Sequence, residues 1–557
     1  MKYLRYIFTS AILFSALFMA EAQTDAEKGL NAISESAVKG QLEFLASDWT
    51  EGRGVGTKGA YLAADYIVSV FKIYGIEPYG DTEYIVPSRK ERMEGKMVTT
   101  EKTFFQNFSL LEYSPGEDQL LSVIATGNNN ESAVDFNFKT DFYVTPGTVG
   151  RSGKAGLVFA GYGFKNEKEK YDDLKKLDVK GKVAVILAGF PGHKDSASAA
   201  FEKFAPVGRY AQYGLERNKI ENLSKAGAVA VIRIDTKNDL STSWAQNRIY
   251  PVKGDYFEAD EPFPTYYDNR MTLPGDSLSS DLPVFTGSKR LAGELISGTA
   301  ISFEKFEENA KEKMKPASSE IPGKQMAFKT TVDSRIVKAR NVLGMIEGEK
   351  KDEFIVVGAH YDHVGKYNGW IWNGADDNAS GTVGVMTIAK AFKATGKKPE
   401  KTIIFAAWTG EEKGLWGSRY FVREAIKENM DIVLNLNYDM IARDTHDDIE
   451  KNKAMMTYTK ANAGIEKLTK KHIQDFDINL DLSYRASERP AGGSDHAPFA
   501  QEDIPIFYFM AAMHPDYHLP SDELSKINWK KMINIIKLGF LNTWEFANSN
   551  EYLLPQD

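Results

Sequence analysis

Five side chains of metal-ligand type recur between residues 360 and 518, each closing or following a strand-like apolar run. They are His360 in VVGAHYDH, Asp376 in NGADDNASG, Glu412 in FAAWTGEEKG, Asp439 in LNLNYDM and His518 in HPDYHLPSDE. Nitrogen and carboxylate oxygen without sulfur suit zinc, with manganese or cobalt as substitutes. Two imidazoles and three carboxylates exceed the three protein ligands of an ordinary catalytic zinc. They suffice for two ions about 3.5–4 Å apart if one carboxylate bridges.

Two further acids sit where such a centre needs them. Asp362 lies two residues after His360, placed to accept the second ring N–H and fix the tautomer. Glu411 and Glu412 are adjacent, so on an extended strand end they point to opposite sides. One can bind metal while the other faces an attacking water. Metals lower the pKa of that water toward about 7, and a free carboxylate that shuttles the proton contributes roughly 10²–10⁴ in rate. Each piece alone has a plainer explanation: a satisfied core histidine, a helix N-cap in Asp-Asp-Asn-Ala-Ser, a solvated helix start in Glu-Glu-Lys. All of them together, in this order and each at a strand end, favour the joint reading.

The elements that must position these residues are legible from Asn341 onward. NVLGMIEG, FIVVGAHY, TIIFAAW, IVLNLNYDM and IPIFYFM are short, nearly continuous apolar runs, the signature of strands buried on both faces. Helical patterns over 379–393, 415–428, 463–474 and 529–548 lie between or after them. This alternation predicts an α/β fold with a mainly parallel sheet and helices on both faces. Ligands of such sheets bind beyond the carboxyl ends of the strands. Upstream, residues 33–76 read as two amphipathic helices, one face carried by Leu42, Leu45 and Ala46 and the second stretch running from Tyr61 to Tyr74. Between them, Glu51-Gly52-Arg53-Gly54-Val55-Gly56 superficially suggests a phosphate-binding loop. It follows a helix rather than a strand, so a glycine-rich turn is the reading its context supports. Residues 81–102 read as a surface loop, 146–310 as short β-like runs broken by polar loops, and 318–324 as a linker.

Length and composition bound the rest. A chain of 557 residues is too long for one ordinary core. A net charge of −8 argues against nucleic acid or an anionic membrane as the main partner. The absence of cysteine excludes disulfides, thiolate zinc sites and a cysteine nucleophile. Lys2 and Arg5, the apolar run from Tyr6 to Met19 and Ala20-Glu21-Ala22 form a secretory signal pattern over residues 1–22, which predicts a secreted or periplasmic protein. The run is short for a membrane span, and no later segment reaches the roughly 20 apolar residues that one needs.

With these motifs in view, the chain resembles the co-catalytic zinc exopeptidases, a family that includes secreted bacterial leucine aminopeptidases, aminopeptidase Y and glutamate carboxypeptidase. GAHYDHVG, NGADDNASG, TGEEKGLWGS, NYDMIAR, GGSDHAPFAQEDIP and YHLPSDE carry the resemblance across roughly 340–530, and LASDWTEGRGVGTKGAYLAADYIVSVF matches the N-terminal part of such enzymes. The resemblance implies that His360 and Asp439 each hold one zinc, that Glu412 and His518 hold the other, and that Asp376 bridges both across a cis Asp376–Asp377 bond. Glu411 is then the general acid/base acting with a metal-bridging hydroxide, and Asp362 orients His360. His193, His363, His446, His472, His496 and His514 fall outside the ligand pattern. GLVFAGYGF, YDDLKKLDVKGKVAVIL and AGAVAVI resemble an inserted, β-rich protease-associated domain that acts as a lid or substrate-positioning module. The implied order is peptidase 24–145, protease-associated domain 146–310 and peptidase 325–557.

The sequence departs from some relatives at Ala491, where secreted aminopeptidases carry an oxyanion-binding tyrosine. Tyr517, directly before His518, is the alternative phenol donor, as in members like glutamate carboxypeptidase. The activity implied is removal of N-terminal residues from peptide substrates. A carboxypeptidase or dipeptidase, a single-zinc acyltransferase of the glutaminyl cyclase type using Asp376, Glu412 and His518, and a non-catalytic receptor-like binding module stay open beside it.

Overall fold

A computed structural model describes residues 24–127, 130–145, 147–206, 211–237, 269–276, 282–367, 369–490 and 492–554. The signal pattern over 1–22 and Ala491 lie outside the described residues. The chain forms two compact units: one of residues up to 107 with 340–366 and 371 onward, the other of residues 108–339 with 367–370.

The first unit is built on strands whose residues alternate between two cores. Its sheet elements are β1 (Phe105–Pro115), β2 (Val332–Ile346), β3 (Lys350–His360), β4 (Lys401–Trp408), β5 (Asp431–Tyr438), β6 (Lys453–Thr459), β7 (Asp481–Ser487) and β8 (Ile506–Met510), in the order β1-β2-β4-β3-β5-β8-β6-β7. β1 and β2 each run on into the residues of the second unit. The four central strands β4, β3, β5 and β8 run parallel, while β2 and β6 flank them antiparallel. Ile355, Val357, Ile403, Phe405, Leu434 and Leu436 face one core; their neighbours Val356, Ile404, Ala406 and Trp408 face the other. That period-two division is why the runs read as continuously apolar: both faces are covered.

Helices supply the cover. α1 (Glu35–Leu45), α2 (Lys58–Ile73), α3 (Gly381–Thr395) and α6 (Trp529–Asn548) bring Leu42, Ile67, Ile388 and Ile536 onto the first face. α4 (Trp416–Lys427) lays Phe421, Val422 and Ala425 on the second. α5 (Gly464–Asp475) adds Ile465 and Leu468 to the first core. Each such Leu, Ile, Val or Phe side chain contributes about 1.5–3 kcal/mol on burial. Ser34 caps α1 by accepting from Ala37 N at 3.2 Å, and Thr57 caps α2 by accepting from Ala60 N. Residues 81–102, expected as a loop, instead hold a short exposed hairpin (Thr82–Ile85 against Thr99–Lys102) and one short helix, Arg89–Met93.

The second unit contains a sheet of eight described strands. Four of them run parallel: Ser152–Phe159, Val183–Leu187, Ala230–Ile234 and Val284–Gly287. The expected β-rich region 146–310 falls within this unit, which also takes in Leu120–Gly127, Asn130–Phe136 and Ser319–Lys329. Residues 318–324 are therefore not a linker. Ser319–Lys329 pairs on both edges, and its register breaks between Ile321 and Gln325, where Pro322 and Gly323 (φ +69°) kink an otherwise continuous strand. Asp173 is buried in this unit, accepting from Tyr162 N at 3.0 Å, Phe164 N at 3.1 Å and the Tyr171 hydroxyl at 2.9 Å.

Candidate metal centre and active site

The parallel strands deliver their chemistry at one end. His360 is the last residue of β3, Glu411 and Glu412 follow β4 by a few residues, Asp439 comes directly after β5, and His518 lies in the segment after β8. His360 Nε2 stands 3.5 Å from Asp439 Oδ1, 3.6 Å from Asp377 Oδ1 and 3.9 Å from Glu411 Oε2. His518 Nε2 stands 3.1 Å from Asp377 Oδ2 and 3.0 Å from Glu412 Oε2. The two oxygens of Asp377 thus face two separate groups of ligand-type atoms.

Asp376, expected at that position, does not reach it. Its Oδ1 accepts from Ala442 N at 2.7 Å and from the Ser380 hydroxyl at 3.2 Å, and its Oδ2 lies 3.3 Å from His514 Nε2. The cause is local. Asp377 (φ −102°, ψ 97°) and Asn378 leave helical geometry ahead of α3, so the two adjacent aspartates point apart. The cis bond is Asp377–Asn378 rather than Asp376–Asp377. Neighbouring groups pin the loop from both sides. Asp522 accepts from Asp376 N and Asp377 N, Asn378 Nδ2 donates to Tyr438 O at 2.8 Å, and Ile441 N donates to the Ser380 hydroxyl. The loop carrying Asp377 and the turn carrying Asp439 are therefore one bonded assembly.

Asp362 also differs in detail from the expectation. His360 Nδ1 lies 3.1 Å from the Asp362 backbone carbonyl but 4.0 Å from its carboxylate, so the carbonyl is the nearer tautomer-fixing group. The carboxylate instead accepts from Glu411 N at 3.3 Å. Glu411 and Glu412 occupy a turn past the strand end, where Gly414 N and Leu415 N donate to Glu411 O. Glu411 approaches His360 and Glu412 approaches His518 and His363, but in this turn the two acids do not point to opposite sides: an oxygen of each lies within 4.8 Å of the other and of His360. The Tyr517 ring stacks on His518 with centroids 3.8 Å apart.

Burial and crowding set the electrostatics. Burial pushes the Glu411 carboxyl well above its ordinary range; His360 opposes this, and Glu412, Asp439 and Asp495 add to it. Asp362 is pushed up to about 7 and Asp495 to about 6, in each case by burial first. Burial would raise Glu412 too, but His518 and His363 overcome it and hold the group well below the usual carboxylate range. Burial raises the Tyr517 phenol, and Asp377, Glu412, Glu411 and Asp439 raise it further. His360 Nε2 and Asp439 Oδ1 are buried with no hydrogen-bond partner among the described residues. Orphaned ligand atoms beside a crowd of buried carboxylates fit cations of charge two. His360, Asp377 and Asp439 form one group able to hold an ion; His363, Asp377 and Glu412 form another, and His518 Nε2 lies beside the same two carboxylates.

One residue of the glycine-rich turn belongs to this architecture although its motif gave no chemical signal. Glu51, Gly52 and Arg53 are all left-handed (φ 46°, 67° and 53°), and a Cβ on Gly52 would come within 2.3 Å of Gly365 O. The turn thereby buries Arg53 completely. Its Nε donates to Tyr361 O at 2.7 Å, Nη1 to Asn373 O at 2.7 Å and to Leu45 O, and Nη2 to Gly374 O at 2.9 Å. A single guanidinium ties the segment after His360 to the loop before Asp377.

The model of peptidase family M28 matches residues 341–540. Over this region the chain is similar to M28 peptidases. The chain is 25% identical over 411 residues to the glutamate carboxypeptidase 2 homolog of Caenorhabditis elegans, covering 64% of this chain and 48% of the relative. It is 29% identical over 225 residues to a probable leucine aminopeptidase of Arthroderma otae, covering 38% of this chain and 59% of the relative. The chain spans about half the length of the first two curated relatives it matches. The solved aminopeptidase from Aneurinibacillus sp. strain AM-1 aligns over 96% of this chain and 98% of its own, with TM-score 0.56 and 18% identity, a likeness of fold. The α/β architecture expected from the strand–helix alternation is the one that the first unit adopts, and it is shared with that solved aminopeptidase. Among the described residues no helix is long and apolar enough to cross a membrane.

Proposed function

We propose that this protein is a di-zinc exopeptidase, an aminopeptidase that removes N-terminal residues from peptides. One observation carries the reading: the Asp377 carboxylate presents one oxygen to His360 and the other to His518, with Asp439 and Glu412 completing the two groups. When bound, paired zinc ions would supply Lewis acidity toward a peptide carbonyl and a lowered pKa for water. Manganese or cobalt would serve the same donor set.

The chain's own residues do the rest. Glu411 is held on the His360 side of the centre, where its carboxylate can take a proton from water and pass it to the leaving amine. Asp362 fixes the Glu411 backbone through its N–H. Tyr517, kept protonated by burial and by the carboxylates around it, can donate its phenol to negative charge developing on the carbonyl oxygen. We read residues 146–310 as a protease-associated domain and residues 1–22 as a secretory signal, which directs the enzyme to the periplasm or the exterior.

A mixed library of free and N-blocked peptides, incubated with and without chelator, tests the reading. The expected products are one residue shorter at the amino end, and blocked peptides and chelated samples stay intact. Trimming from the carboxyl end would make the protein a carboxypeptidase. Pyroglutamate formation would make it an acyltransferase, and inertness of the zinc-loaded chain would make it a binding module.

A further inference from the structure

His363 is set aside by the ligand pattern, yet its ring is fully buried at the centre. Its Nδ1 lies 2.7 Å from Glu412 Oε1, while the other oxygen of the same carboxylate faces His518 Nε2 at 3.0 Å. The ring is also fixed from outside. It meets the His518 ring edge-on at 5.7 Å, and a Cβ on Gly374 (φ +53°) would come within 2.5 Å of its Cδ2. Gly374 O in turn accepts from Arg53, so the wall behind the imidazole is itself held.

We propose that His363 is a positioning residue for the second cation: its Nδ1–H occupies Glu412 Oε1 and leaves Oε2 alone to bind metal beside His518 and Asp377. This rests on the reading of the site as a metal centre. The distances favour positioning over ligation. A 2.7 Å contact is the length of a charge-assisted N–H···O⁻ bond. The same Nδ1 is 3.9 Å from Asp377 Oδ2. Two donors bonded at about 2 Å to one tetrahedral ion stand roughly 3.3 Å apart, and about 4 Å only when they are opposite each other. A carboxylate held this way is restricted to one-oxygen binding with a fixed direction, which raises affinity without adding a ligand.

The test is zinc affinity by chelator competition, together with the visible spectrum of the cobalt-substituted protein, on wild type and three variants. His363→Ala is expected to keep two sites but bind the weaker ion about 10–100-fold less tightly. His363→Asn, whose amide nitrogen can take the place of Nδ1, should restore affinity to within a few-fold, and His363→Gln, which donates from further out, should not. All should leave the cobalt ligand number unchanged. Circular dichroism checks folding, and if the alanine variant fails to fold, the Asn–Gln contrast decides alone. Equal affinity in all four proteins overturns the proposal. So does loss of one ion with a cobalt spectrum of lower coordination, which would make His363 a ligand. A folded wild type that binds neither metal overturns the metal-centre reading itself, and this inference with it.

Discussion

Replacing Arg53 with lysine isolates the part of the active site that lies farthest from the chemistry in sequence. The guanidinium makes four hydrogen bonds to buried carbonyls on three segments, and His363 N donates back to Arg53 O at 3.3 Å. Burial pulls its pKa down to about 10, against Asp362, Asp377, Asp522 and Glu412, so it stays charged at neutral pH. Lysine keeps the charge but concentrates its donors at one point, so it cannot reach Tyr361 and the Asn373–Gly374 pair together. At least one of those links breaks, and each carbonyl left unpaired costs about 1–3 kcal/mol. The expected loss is about 1–3 kcal/mol for one broken link and about 2–6 kcal/mol for two, a large share of the roughly 5–15 kcal/mol that holds a domain together. Displacing His360 against Asp377 by about 1 Å would also cost on the order of 10²-fold in turnover. Urea unfolding gives the first quantity, and peptide hydrolysis at saturating zinc gives the second. A variant within about 1 kcal/mol and twofold of wild type would refute the claim that this side chain assembles the site.

Three further outcomes follow from the geometry. Glu411→Gln should retain its metal while losing roughly 10²–10⁴ in kcat, read by elemental analysis beside peptide hydrolysis. Tyr517→Phe should lower kcat by about 10²-fold or more with little change in KM, since the phenol acts on charge that develops during reaction. Asp173, pushed up to about 7 mainly by burial, gives a pH signature in the second unit. Its native pKa exceeds the unfolded value near 3.9, so the native state keeps a proton that the unfolded chain releases. Stability from this group is full below about pH 4 and lost as pH rises through about 7, up to ~4 kcal/mol. Asp173→Asn should flatten the decline in thermal unfolding temperature across that window.

The parallel core was readable because both faces of β3, β4, β5 and β8 are buried, which leaves runs such as FIVVGAH and TIIFAAW without polar interruption. His360 closes β3 and Asp439 directly follows β5, while Glu411 and Glu412 come a few residues after β4 and His518 lies further past β8; that placement made them candidates in the sequence. Asp376 and Asp377 could not be told apart: adjacent identical side chains differ only in the backbone torsions ahead of α3. Arg53 was invisible as chemistry because its partners are carbonyls, which carry no side-chain identity, and they lie as far away as Gly374. Pro322 and Gly323 suggested a break in the chain where the sheet absorbs them as a bulge.

The most direct test is the zinc content of purified wild type, Asp377→Asn and Asp376→Asn after equilibration with excess zinc and desalting. A carboxylate shared by two ions predicts about two zinc per chain in wild type and in the folded Asp376→Asn variant, and loss of both ions' tight binding in Asp377→Asn. A folded wild type without zinc, or an Asp377→Asn protein that keeps both ions while Asp376→Asn loses them, would contradict the assignment of the centre.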